Sequence, residues 1–96
     1  MLTHVVLFKF KDEPADVPAA RLEAALKGLP AKIGEIRAFR VGRDIVRSER
    51  SYDLALISAF DDLAAMQRYQ VHPAHQRVVT LVKALCGGVV VVDFDA

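Results

Sequence analysis

Hydrophobic and polar positions follow two periods along the chain, alternation in some segments and a three-to-four-residue repeat in others, which predict strands and helices respectively. In the first segment His4, Val6 and Phe8 share one strand face and Val5 and Leu7 share the other, so both faces are largely apolar. The predicted strands are Thr3–Phe10, Ile33–Val41, Tyr52–Phe60 and Val89–Phe94; the predicted helices are residues 16–28, the segment from Leu63 to the break at His72-Pro73, and the segment from Pro73 to Gly87-Gly88. This order predicts an α+β domain, the split βαβ arrangement with a four-stranded antiparallel sheet.

The helices of this arrangement lie on one face of the sheet, and the other face is predicted to be rich in valine. At about 25 cal/mol per Å² of apolar surface, leaving that face in water would cost several kcal/mol, which is comparable with the whole stability of a small domain. A second copy packed sheet to sheet removes this penalty. We therefore predict one domain over residues 1–96 that is stable as a homodimer.

Composition excludes several classes of partner. Hydrophobic residues make up 53% of the chain and the formal net charge is +1, so no strong field attracts nucleic acid or an anionic membrane. No segment reaches the roughly 20 apolar residues of a membrane span, and the N-terminus begins directly with a strand pattern instead of a signal peptide. Cys86 is the only cysteine and cannot form an intrachain disulfide. These features predict a cytoplasmic protein without nucleic-acid or membrane partners.

Three histidines and a tyrosine carry the candidate chemistry. His75 lies in the first turn of the helix that begins at Pro73, where the helix dipole disfavours the imidazolium and keeps the ring available as a general base. Tyr69 precedes the helix break and can donate a hydrogen bond to an enolate oxygen. A structural interpretation stays open, in which His72 bonds to the amides of the helix start, His4 is a core imidazole and Tyr69 is only core packing.

Metal and nucleotide chemistry are less well supported. A zinc site made by His4, His72 and His75 has no neighbouring carboxylate, so we predict no bound metal. No Walker or dinucleotide-type glycine motif is present. The third strand also lacks the stacking aromatic pattern of RNA-binding split βαβ domains. We predict no cofactor.

The remaining charged residues are predicted to be solvated. Arginines 43, 47 and 50 fall in the charged stretch Arg43–Ser51, interleaved with Asp44 and Glu49, which favours a loop over a phosphate clamp. Asp93 and Asp95 are predicted to solvate the end of the last strand.

Three runs of residues together resemble a known family. They are His4-Val5-Val6-Leu7-Phe8-Lys9-Phe10, Tyr52-Asp53-Leu54-Ala55-Leu56 and Tyr69-Gln70-Val71-His72-Pro73-Ala74-His75. The last run, combined with a histidine in the first strand, is similar to the stress-responsive dimeric α/β-barrel (Dabb) family. The resemblance implies a ferredoxin-like βαββαβ protomer, two of which form a dimeric α/β barrel.

The family is divided on function. A plant branch contains cofactor-independent polyketide cyclases, and the resemblance implies that His75 and Tyr69 match their acid-base pair, with His4 as a further pocket residue. Under that hypothesis the chain binds a small hydrophobic or aromatic carbonyl compound, contacted also by His72, Phe8 and Leu56. Many other members are known only as stress-associated dimers, and the alternative for this chain is a non-catalytic stress-associated homodimer. Haem-linked monooxygenases share the barrel type.

Overall fold

The computed structural model describes residues 1–96 and contains a four-stranded antiparallel sheet with helices on one face. The elements are β1 (Leu2–Phe10), α1 (Asp16–Lys27), β2 (Ala38–Arg43), β3 (Leu54–Phe60), α2 (Leu63–Val71), α3 (Pro73–Leu85) and β4 (Cys86–Asp95). The strand order is β2-β3-β1-β4. This is the ferredoxin-like βαββαβ topology, and the predicted fold class is confirmed.

Several predicted element boundaries are wrong, and among them β3 begins at Leu54 rather than Tyr52 and β4 at Cys86 rather than Val89. β2 begins at Ala38 rather than Ile33, because Ile33 closes a turn after α1, where its amide donates to the carbonyl of Leu29 at 3.0 Å and its side chain is buried. Gly87 and Gly88 lie inside β4 and do not end α3. The helix ends at Leu85, since Cys86 already has extended backbone angles, φ −103° and ψ 137°.

The two faces of the sheet differ in what covers them. His4, Val6 and Phe8 of β1 are buried beneath the helices. On the opposite face, which we call the open face, the strand register places Val5 between Ile57 of β3 and Val92 of β4. Ile57 is 41% exposed and Val92 is 62% exposed. The open face is therefore apolar and unburied in the single chain.

Charged side chains next to the sheet pair within the chain. Arg47 donates to the carboxylates of Asp44 at 3.3 Å and Asp53 at 2.8 Å, and Arg43 donates to Glu23 at 3.0 Å. These two arginines therefore bind carboxylates of the protein itself. Arg47 lies in the predicted loop, whereas Arg43 is the last residue of β2.

Asp53 is the buried member of this group, and we predict that it stabilises the fold. Its carboxylate is 7% exposed and accepts hydrogen bonds from the Phe10 amide and from Arg47, both at 2.8 Å. Burial would raise the pKa of Asp53, but these hydrogen bonds outweigh it and lower the pKa. Asp53→Ala leaves the Phe10 amide without its acceptor, so we expect the free energy of unfolding in urea to fall by about 2 kcal/mol.

The control is Asp61→Ala. Asp61 pairs with Arg37 at 3.0 Å on the surface, where solvent screens the pair, so its loss should cost clearly less than the loss of Asp53. Because the pKa of Asp53 is lowered in the folded state, its contribution should be complete above the unfolded value of about 3.9 and should be lost as the pH falls through the folded pKa. Equal costs of the two substitutions would contradict the assignment.

Candidate functional site

The break between α2 and α3 brings two candidate residues together. His72 has extended backbone angles, φ −65° and ψ 136°, and its Nδ1 accepts a hydrogen bond from the Ala74 amide at 3.0 Å, which caps α3. Pro73 then occupies the first turn, where its missing amide hydrogen costs nothing. Tyr69 in the last turn of α2 and His75 in the first turn of α3 consequently pack together, with ring centroids 4.4 Å apart.

These two rings line a cavity of about 340 Å³ between the sheet and the helices. His4, Phe8 and Leu56 line the same cavity, so five of the six predicted site residues converge there. His72 does not line it, and its ring is used for the helix cap. The other lining residues are mainly aliphatic, and the polar ones that sequence reasoning missed are Gln70 and Lys83.

The hydrogen bonding of His75 fixes its tautomer. Its Nδ1 lies 3.0 Å from the carbonyl oxygen of Gln70, and because a carbonyl only accepts, Nδ1 carries the hydrogen. Nε2 is then left with a free lone pair. Burial lowers the pKa of His75 and nearby His4 lowers it further, while the bond to Gln70 acts in the opposite direction. The ring is therefore neutral at physiological pH and able to accept a proton.

Tyr69 is a hydrogen-bond donor beside the proton-accepting ring of His75. Its side chain is 1% exposed, and burial raises the pKa of Tyr69 to about 12, so the phenol keeps its proton. No buried side-chain polar atom of the protein lacks a hydrogen-bond partner. Since the Tyr69 hydroxyl bonds to no protein group, it is not sealed in the core and remains available to the cavity as a donor.

His4 pairs with Asp93, which was predicted from the sequence to solvate the end of the last strand. It lies directly opposite Asp93 in the β1–β4 register, and its Nδ1 contacts the Asp93 carboxylate. The carboxylate accepts, so Nδ1 of His4 carries a hydrogen, and Nε2 makes no bond to the protein. The prediction that Asp93 solvates the strand end is therefore wrong. The available signal was strand parity, because the opposing residues of an antiparallel pair share a face.

No group of three or more His, Cys, Asp or Glu side chains is close enough to hold a metal ion. None of the helices is long and apolar enough to cross a membrane. The titratable side chains that line the cavity are His4, Tyr69, His75 and Lys83.

The lowered pKa of His75 gives a direct test of the site. We expect its imidazole NMR signals to titrate with a midpoint below the ordinary value of about 6.5. Because the unfolded chain then takes up this proton at higher pH than the folded chain, the free energy of unfolding should fall as the pH drops below about 6.5. His75→Phe should reduce that fall. A midpoint at or above the ordinary value would contradict a desolvated imidazole.

The fold places the chain among the ferredoxin-like α+β proteins, and comparison with known sequences gives its family. It belongs to the stress-responsive A/B barrel domain family, which it matches over residues 2–96. It is 36% identical to an uncharacterized protein of Streptomyces coelicolor over 86 residues, which are 84% of this chain and 86% of that protein. The resemblance seen in the sequence is therefore confirmed.

Solved structures agree with this assignment. A dimeric protein of unknown function with a ferredoxin-like fold from Bacteroides fragilis is similar at a TM-score of 0.88 and 31% identity, covering 99% of this chain and 95% of its own. A hydroxynitrile lyase from Passiflora edulis is similar at a TM-score of 0.84 and 16% identity, covering 97% and 90%. At that identity the lyase shows the fold alone.

Proposed function

We propose that the chain is a cytoplasmic homodimeric enzyme that abstracts a proton next to the carbonyl group of a small hydrophobic or aromatic compound, without a cofactor. The observation that carries the proposal is the convergence of His4, Tyr69 and His75 on one largely apolar cavity. His75 is a neutral base, Tyr69 is a protonated phenol, and His4 is an imidazole paired with the Asp93 carboxylate.

In the proposed reaction His75 removes a proton, and Tyr69 stabilises the charge that forms. Nε2 of His75 takes the proton from the carbon beside the carbonyl, and the electron pair of that C–H bond forms the enolate. The Tyr69 hydroxyl donates a hydrogen bond to the oxygen on which negative charge develops. His4, held by Asp93, presents Nε2 to the same ligand. The enolate then attacks a second carbonyl of the substrate to form a carbon–carbon bond, and the resulting alkoxide takes the proton from Nε2 of His75. Alternatively, the enolate carbon takes that proton back.

The homodimer is part of the proposal. The open face is lined by apolar residues of β1, β3 and β4, including Val5, Ile57 and Val92, while β2 places Arg40 beside Ile57. The Bacteroides fragilis relative is dimeric. A second copy of the chain covers this face with its own. The cavity lies on the other side of the sheet, so the pairing leaves its lining in place.

Hydrogen–deuterium exchange tests the proton abstraction without knowledge of the natural substrate. Acetophenone and heptyl methyl ketone are incubated with the protein in D₂O, and loss of the proton signal beside the carbonyl is followed by NMR. We expect exchange faster than in buffer alone, with saturation as the ketone concentration rises. Binding of neither ketone and no exchange above buffer would leave the non-catalytic homodimer as the better description.

A further inference from the structure

Lys83 is the only lysine or arginine that lines the cavity. It lies on α3 at the i+8 position from His75, with Val79 between them at i+4, so the three residues follow one stripe of the helix. No aspartate or glutamate lines the cavity. The cavity therefore has a reactive end at His75 and Tyr69 and a positively charged end at Lys83.

The ammonium group of Lys83 is free of protein partners. It makes no hydrogen bond or ion pair, whereas Lys9, Lys11 and Lys27 all bond to protein oxygens. Lys11 brings a second ammonium to this end of α3, because its Nζ donates to the backbone carbonyl of Lys83 at 3.1 Å. The positive charge at this end of the cavity is therefore not neutralised within the chain.

The surfaces between the two ends are aliphatic. Val78, Val79 and Val82 of α3 face Val89 and Val91 of β4 across the cavity. Val89 is 43% exposed and Val91 is 49% exposed, so the cavity opens along the edge strand. Eight residues of helix rise about 12 Å, the length of an extended chain of about nine bonds. An elongated ligand could cover the exposed valines and reach both ends.

We propose that Lys83 recognises a carboxylate at the far end of the ligand, and that the substrates of this site are elongated carbonyl compounds ending in an acid. This inference rests on the proposed function and specifies its substrate class. The carbonyl lies at His75 and Tyr69, the aliphatic chain lies on the valines, and the carboxylate pairs with the Lys83 ammonium at the mouth.

Calorimetric titration with two matched probes tests this assignment. The probes are a linear undecanoic acid carrying a ketone at the carbon next to the terminal methyl group, and the methyl ester of the same acid. The wild-type protein should bind the acid about threefold to fivefold more tightly than the ester, as expected for a partly solvated ion pair. Lys83→Gln should abolish this preference and leave the affinity for the ester unchanged. Added salt should weaken binding of the acid alone.

Lys32→Gln is the matched control, since Lys32 is also exposed and unpaired but lies outside the cavity. It should keep the preference for the acid. The inference is overturned if the wild type binds acid and ester equally, if Lys83→Gln keeps the preference or weakens both probes alike, or if Lys32→Gln also removes the preference. These outcomes leave the proposed function standing. Failure of the wild type to bind either probe would overturn this inference, while the exchange of acetophenone and heptyl methyl ketone decides the proposed function separately.

Discussion

Replacing His75 with glutamine is expected to slow ketone hydrogen–deuterium exchange by at least about 100-fold, the usual contribution of a positioned general base. Glutamine is similar in size and polar, so it can fill the space beside Tyr69 and Gln70, but an amide cannot accept the proton. Binding of the ketone, measured separately by calorimetry, should change little because the aliphatic lining is intact. The substitution should therefore lower the rate without a matching loss of affinity.

His72→Gln provides the matched control for that experiment. It is the same chemical change three residues away, on a ring that caps α3 and lies outside the cavity. We expect it to cost about 1 kcal/mol of stability through loss of the cap and to leave the exchange rate per folded molecule unchanged. If the His75 and His72 variants slow exchange equally, or if neither does, His75 is not the base.

Tyr69→Phe separates the contribution of the Tyr69 hydroxyl from that of its aromatic ring. The phenylalanine keeps the aromatic contact with His75 but removes the donor, so exchange should fall by about 100-fold, the usual effect of removing one oxyanion donor. Exchange at the wild-type rate in this variant would restrict Tyr69 to packing.

Replacing Val92 with aspartate is expected to convert the proposed dimer into single chains. Val92 lies on the open face opposite Val5, and in a two-fold symmetric pair each substitution is present twice. Losing the burial of two valines and placing two carboxylates in an apolar contact should weaken association by at least about 4 kcal/mol, or about a thousandfold. Analytical ultracentrifugation at micromolar concentration measures this directly, and circular dichroism reports whether the single chain stays folded.

The control for Val92 is Val17→Asp. Val17 is 69% exposed on α1, on the outer side of the helices, where an acidic residue in the first turn is favourable. This variant should keep the mass of two chains. A wild-type mass of one chain, or two chains in the Val92 variant, would show that the open face is not the dimer contact.

Much of the fold could be predicted because the alternation typical of strands and the three-to-four-residue repeat typical of helices are both clear in this sequence. The alternation in β1 and the break at His72-Pro73 placed the elements on either side of the candidate site. Ile33 misled the assignment of β2, since a β-branched residue also suits the turn that covers the end of α1. Periodicity reports which residues are buried but does not distinguish a strand from a turn that closes over the core.

The site could be predicted only as far as local spacing reaches. Tyr69 and His75 are close in sequence, so the helix break indicated their contact. The pairing of His4 with Asp93 joins opposite ends of the chain and depends on strand register, and the role of Lys83 depends on which face of α3 meets β4. These relations are tertiary, and neither composition nor local periodicity contains them.

The His4–Asp93 contact also affects how β4 aligns with β1. Val89-Val90-Val91-Val92 is almost equally apolar on both faces, so a slip of one residue would exchange its faces with little hydrophobic penalty. In the slipped alignment Asp93 would enter the open face without a partner, and His4 would lose its acceptor. The Asp93 carboxylate thus selects the observed alignment of β4 over the slipped one, a choice that the valines of β4 do not make.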